Sequence, residues 1–138
     1  MRGIFLMLSL ILAGCSRVHD NRLVGTWVSD SQGTVSYNRS LPDHLDWKKY
    51  SQLFGRLRVT YDDRSVITDL DGVVERQSLR IVRRDADTVT LRAYDPIDHK
   101  NKPLVVHFVD SDTYWIHIRD SDYREYFRRV TSPGDMRR

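Results

Sequence analysis

Cysteine is almost missing from this chain of 138 residues: Cys15 stands alone, so no intrachain disulfide can stabilise the fold. Long apolar runs are missing as well. Residues 4–12 are apolar apart from Ser9, and nothing after them approaches the roughly 20 residues that a membrane-spanning helix needs. No charge of one sign dominates, because 22 Lys and Arg face 19 Asp and Glu for a net +3, interspersed along the chain. That pattern lacks the clustered basic face of a nucleic-acid binder and reads as a mixed, solvated surface; no nucleic-acid partner is expected. Catalytic signatures are absent too. There is no G-x-S-x-G elbow and no H-E-x-x-H, and acid pairs such as Asp62/Asp63 fall in turns with nothing to raise one pKa. The sequence reads as non-catalytic, with no cofactor.

What is present begins with an export signal. Met1-Arg2 gives a short positive start, and the run 4–12 suits a secretory h-region. Leu12-Ala13-Gly14-Cys15 closes it and resembles the lipobox of bacterial lipoproteins. The resemblance implies that residues 1–14 are a signal peptide and that Cys15 carries the lipid, which explains an odd thiol in an exported chain. Such lipoproteins carry two or three acyl chains, above the two-signal threshold for stable anchoring, so the membrane is the first expected partner. Ser16 stands where an aspartate would favour inner-membrane retention. By the same resemblance the destination is the outer membrane, on its periplasmic face. Removing 14 of 138 residues leaves 124, enough for one domain. The expected organisation is a lipidated tether over 15–22, a β domain over 23–130 and a flexible tail over 131–138.

Within that domain, short β-like runs alternate with turn residues. Strands are expected over 23–29, 34–37, 56–61, 65–70, 73–83, 88–94, 103–109, 113–119 and 124–130. The clearest is 56–61, with Leu57, Val59 and Tyr61 on one face and Arg56, Arg58 and Thr60 on the other. Asp71-Gly72 is a dipeptide typical of hairpins. The pattern predicts an all-β, up-and-down antiparallel barrel of about eight strands, closed or left open on one side. Residues 43–54 break the rhythm and read as a short helix, with Trp47, Tyr50, Leu53 and Phe54 at helical spacing and Gly55 as its stop.

Gly25-Thr26-Trp27 near the start of an all-β chain resembles the G-x-W signature of lipocalins and their smaller calycin-like relatives. The resemblance implies that Trp27 closes one end of the barrel under an arginine from the last strand, for which Arg128 is the choice here. It also implies a small apolar ligand. The expected pocket lining is Trp47, Tyr50, Trp115 and Tyr126. Shorter length and an early helix depart from the lipocalin pattern.

Other constellations favour structural readings. His107 and His117 flank the turn at 110–112 and could face each other across a hairpin, but a metal site needs a further ligand, so no metal is expected. Asp69/Asp71, Asp85/Asp87, Asp110/Asp112 and Asp120/Asp122 lie between expected strands and suit turn chemistry better than calcium. Two functions in different classes follow: a carrier of a small apolar molecule, or a periplasmic protein acting through protein–protein contacts. The second would be an assembly or piloting factor, with a filled barrel and an exposed apolar patch or free edge strand, or an inhibitor working through loop 95–102.

Overall fold

Period-two segments become nine strands in the computed structural model, which describes residues 20–41, 51, 52, 54–95 and 98–131. They are β1 (Gly25–Ser29), β2 (Leu57–Tyr61), β3 (Ser65–Leu70), β4 (Val73–Ser78), β5 (Ile81–Arg84), β6 (Thr88–Asp95), β7 (Lys100–Phe108), β8 (Thr113–His117) and β9 (Arg124–Arg129), with helix α1 (Ser31–Asn38) after β1. All pair antiparallel in one sheet, in the order β4-β3-β2-β1-β9-β8-β7-β6-β5. Every ladder except β1–β9 joins neighbours in sequence, so the chain is an up-and-down meander. Only Leu79 and Arg80 separate β4 from β5, the two outer strands of the sheet, and such a link reaches about 11 Å at most. The sheet therefore curls until the end of β4 approaches the start of β5, and the fold is an all-β barrel left open along that seam.

The seam replaces the single strand expected over 73–83. Leu79 N–H still donates to Arg64 O on the β3 side at 2.8 Å, whereas Arg80 O accepts from Arg92 N–H on the β6 side at 2.9 Å. The chain changes partner between these two residues. Before the switch it pairs with β3, after it with β6, and the barrel stays open along β4.

Strand parity fills the interior. Trp27, Val59, Tyr61, Val89, Leu91, Val106, Tyr114 and Phe127 point inward from six strands and are buried. Tyr114 packs edge-on against Trp27, with ring centres 4.7 Å apart, and stacks on Phe127 at 4.9 Å. Burying each such side chain contributes roughly 1.5–3 kcal/mol. The hydroxyls of Tyr61 and Tyr114 meet at 3.3 Å, so these buried polar atoms are paired, and burial pushes the Tyr61 phenol up to about 12.

Residues 34–37, expected as a strand, belong to α1 instead. Thr34, Val35 and Tyr37 favour strands locally, but tertiary contacts override that preference. β1 ends at Ser29 while β9 runs back to Arg124, which leaves part of the β9 edge without a strand partner. Helix α1 covers it. Asp30 N–H donates to Tyr126 O at 2.7 Å, and Tyr126 N–H donates to Thr34 Oγ1 at 2.9 Å. Arg124 N–H donates to Asn38 Oδ1 at 3.0 Å, and Asn38 Nδ2 donates back to Arg124 O at 2.9 Å. Thr34 and Asn38, four residues apart on one helix face, thus stand in for a missing strand. The helix expected over 43–54 falls largely outside the described residues, and Trp47 and Tyr50 with it; Cys15 and the tail from residue 132 lie outside them too.

The aspartates do serve turns. Asp62 accepts from Arg64 N–H at 2.7 Å, Asp69 from Gly72 N–H at 2.9 Å and Asp110 from Asp112 N–H at 2.8 Å. Asp71 and Gly72 both take positive φ, 53° and 88°, as the tight turn between β3 and β4 requires.

Candidate functional site

The barrel has a closed end and an open end. At the closed end, Trp27 donates its indole N–H to Leu23 O at 2.8 Å, and the guanidinium of Arg129 lies 4.2 Å over its ring. Arg129 also donates to Val24 O at 2.7 Å, Arg22 O at 2.6 Å and Ser111 O at 3.1 Å. The closure expected of Arg128 therefore belongs to Arg129. In the ladder Trp27 sits opposite Arg129, while Arg128 has the other parity, is exposed, and reaches Asp30 at 3.4 Å. The chain enters at this same end, where Arg22 pairs with Asp20 at 2.7 Å and donates to Asp85 O at 2.9 Å.

Parity also corrects the expected pocket. Trp115 and Tyr126 are direct cross-strand partners, but they project from the outer face, since their neighbours Tyr114 and Phe127 take the interior. On that outer face a column of rings runs from β7 to α1. His107 stacks on Trp115 with centres 3.8 Å apart and planes 1° from parallel. The Arg124 guanidinium covers Trp115 at 3.7 Å and Tyr37 at 4.3 Å. His117 meets His107 and Trp115 edge-on, at 5.9 and 5.1 Å. The register sets His107 opposite Trp115, so the two histidines are diagonal neighbours and do not face each other. Burial first, then the charges of His117 and Arg124, hold His107 below the ordinary imidazole range.

Beside this column a cleft opens. The β7–β8 ladder holds for two pairs, His107 with Trp115 and Phe108 with Tyr114, and the strands then part. Pro103, within β7, has no N–H to offer a neighbouring strand. The resulting cleft of about 550 Å³ is walled by Ala93, Leu104 and Val105 and rimmed by Tyr94, Lys102, His117, Arg119 and Asp120. Tyr94 Oη and His99 Nδ1 are 3.1 Å apart, and Lys102 pairs with Asp98. Two non-glycine residues in the left-handed region flank it, His99 at φ 51° and Arg119 at φ 55°. Such conformations cost about 1–2 kcal/mol each in a bulky residue and cluster where a site must be shaped.

Among the described residues one half-buried carboxyl faces the barrel interior. Glu125 points inward from β9, its burial pushes its pKa up, and Ser29 Oγ donates to it at 2.6 Å. Gly55 N–H donates in turn to Ser29 Oγ at 2.9 Å. Among the described residues no three His, Cys, Asp or Glu side chains gather as a metal would require. Nor does any described helix reach the length and apolarity needed to cross a membrane.

Arg124, Tyr37, Tyr94 and Arg119 escaped the sequence reading. Arg124 could have been found from the alternation of β9, which puts it on the Tyr126 face. Tyr37 could not, because its segment reads as strand.

These features define an antiparallel β-barrel closed at one end by a Trp–Arg pair, with a cleft at the other. No protein-family model matches the sequence, and no curated protein matches it. Among solved structures, a Zn(II)-bound ZinT-like domain of Streptococcus pneumoniae AdcA is similar at a TM-score of 0.47 and 11% identity, over 90% of this chain and 89% of that one. At that similarity the functional reading rests on the geometry of this chain.

Proposed function

We propose that this chain is a non-catalytic binding protein, anchored by lipid on Cys15 to the periplasmic face of the outer membrane, that holds a small molecule with an apolar body. One observation carries the binding role: the cleft formed where β7 and β8 part. Its volume of about 550 Å³ lies within the roughly 300–1,000 Å³ of small-molecule sites, and its walls are Ala93, Leu104 and Val105 under a polar rim. The barrel interior is a poorer place for a ligand, since Trp27, Tyr114 and Phe127 already fill its closed end. Orientation fits the anchor. Arg22 is tied to the turn between β5 and β6, so the cleft opens at the far end of the barrel from Asp20 and Arg22. The anchor itself rests on the residues 12–15 and their place after the apolar run.

Native mass spectrometry of the full chain, extracted from its own host in mild detergent, tests the reading. A small-molecule adduct beyond the lipid, absent from a Val105→Trp variant that fills the cleft, is the expected result. An adduct unaffected by Val105→Trp, or no adduct at all, removes it. For the anchor, Cys15→Ser should abolish lipid labelling; a variant that still takes up label would remove that part.

A second reading has one observation of its own. Val73 and Val74 on β4 are 66% and 61% exposed, on a strand whose outer edge has no strand partner among the described residues. An extended segment of a partner protein, added to that edge, would make the chain an assembly or piloting factor. Its mark is a complex lost on Val74→Pro, with no adduct.

A further inference from the structure

Arg124 is held more firmly than a surface arginine needs to be. Its backbone N–H and C=O are both tied to the Asn38 side chain, at 3.0 and 2.9 Å. Its guanidinium lies over the Trp115 ring at 3.7 Å and the Tyr37 ring at 4.3 Å. A guanidinium stacked on rings keeps its edge for hydrogen bonds. Yet Nε is buried with no hydrogen-bond partner, and the guanidinium makes no ion pair with a carboxylate among the described residues. Arg124 as a whole is only half-buried. Stapling α1 to the sheet explains the stacking but needs no cation, and an apolar side chain would do it without desolvating a charge.

From this we infer that Arg124 anchors an oxyanion site on the outer face of β8 and β9, taking a carboxylate or phosphate group end-on across its terminal nitrogens. Stacked guanidinium is pre-organised for that contact: it is fixed in plane, always charged, and matched in spacing to two oxygens. His117, directly opposite Arg124 in the ladder and exposed, places an imidazole at the same rim. The site does not rest on the cleft: an anion can bind at Arg124 whether or not a ligand fills the space beyond His117.

The test is a titration of the full ¹⁵N-labelled chain in detergent micelles with inorganic phosphate and, separately, acetate, at ionic strength held constant with chloride. The Arg124 Nε–Hε and Trp115 indole signals should shift saturably with at least one of them, half-saturating at about 1–10 mM for a single bidentate charged contact. Whichever anion saturates first assigns the group, phosphate or carboxylate. Arg124→Lys keeps the charge but loses the fork, and should raise the half-saturation at least tenfold. Shifts linear in both anions, equal shifts in chloride alone, or an Arg124→Lys variant that titrates like the parent would each overturn the site. Should that variant not fold, the comparison with chloride in the parent chain decides alone.

Discussion

Replacing Arg129 by alanine should unhinge the closed end of the barrel, and the structure sets the size of the effect. The side chain is 23% exposed, so its contacts are only partly screened. It donates to two backbone carbonyls at 2.6 and 2.7 Å and to a third at 3.1 Å, and hydrogen bonds from a charged donor contribute about 1.5–3 kcal/mol each when buried. Its cation–π contact with Trp27 adds roughly 0.5–2 kcal/mol. The contacts share one side chain and do not add in full, and water can reach some of the freed carbonyls. A loss of about 3 kcal/mol is expected, a large fraction of a typical domain stability of about 5–15 kcal/mol. Urea unfolding of the full chain in mild detergent, followed by Trp fluorescence, should show a lower midpoint at unchanged slope. Arg128→Ala is the internal control. Its ion pair among the described residues, to Asp30 at 3.4 Å, is made by a side chain 68% exposed, so its loss should stay within about 0.5 kcal/mol. An Arg129→Ala loss below about 1 kcal/mol, or an equal loss for Arg128→Ala, would refute the assignment of the closure to Arg129.

Asn38→Ala strips Arg124 of both backbone partners and should destabilise the chain by about 2 kcal/mol, with faster hydrogen exchange at the Arg124 amide; unchanged protection there would contradict the role of α1 as a substitute strand. Glu125→Gln should flatten a pH dependence. Burial raises the Glu125 pKa, so the folded chain keeps a proton that the unfolded chain releases. Stability then falls as pH rises from the ordinary glutamate range into the raised one. The variant should lose that slope and gain stability at neutral pH; urea midpoints that track those of the parent across this window would contradict it. Trp115→Ala should leave the near-ultraviolet dichroism of the Trp27–Tyr114–Phe127 core intact, since Trp115 lies on the other side of the sheet; a collapsed core signal would put Trp115 inside.

Much of the barrel could be read from the sequence because a half-buried strand writes its parity into alternate residues. β3 matches residues 65–70, and the faces of β2 follow from Leu57, Val59 and Tyr61. Parity fails as a guide where both faces carry large rings. In β8 Tyr114 and Trp115 are adjacent, and in β9 Tyr126 and Phe127 are adjacent, so either face could be the inner one by composition. In β8 the smaller and more polar ring, Tyr114, goes inward, against the order that hydrophobicity suggests. One wrong choice of parity turned Trp115 and Tyr126 from outer-face residues into pocket lining. The same one-residue step separates Arg128 from Arg129.

The helix and the seam were hidden for a different reason: both are decided by edges and not by local pattern. Nothing in residues 31–38 announces a helix, and Gly33, Thr34 and Val35 argue against one. What fixes it is that β1 stops at Ser29 while its neighbour β9 continues to Arg124, so the uncovered N–H and C=O groups demand partners. Thr34 and Asn38 supply them only if the chain is helical, because only a helix sets residues four apart on one face. The seam at Leu79 and Arg80 has the same origin. The run 73–84 is long enough to pair with β3 or with β6, and it pairs with each in turn because the meander leaves both edges open. Where the barrel could not satisfy its edges with strands, it left the features on which the functional proposals depend: Arg124 held under α1, the cleft beyond the short β7–β8 ladder, and the free edge of β4. A binding role is most economically sought at these places, since there the fold has spent side chains and open backbone that a closed barrel would have absorbed.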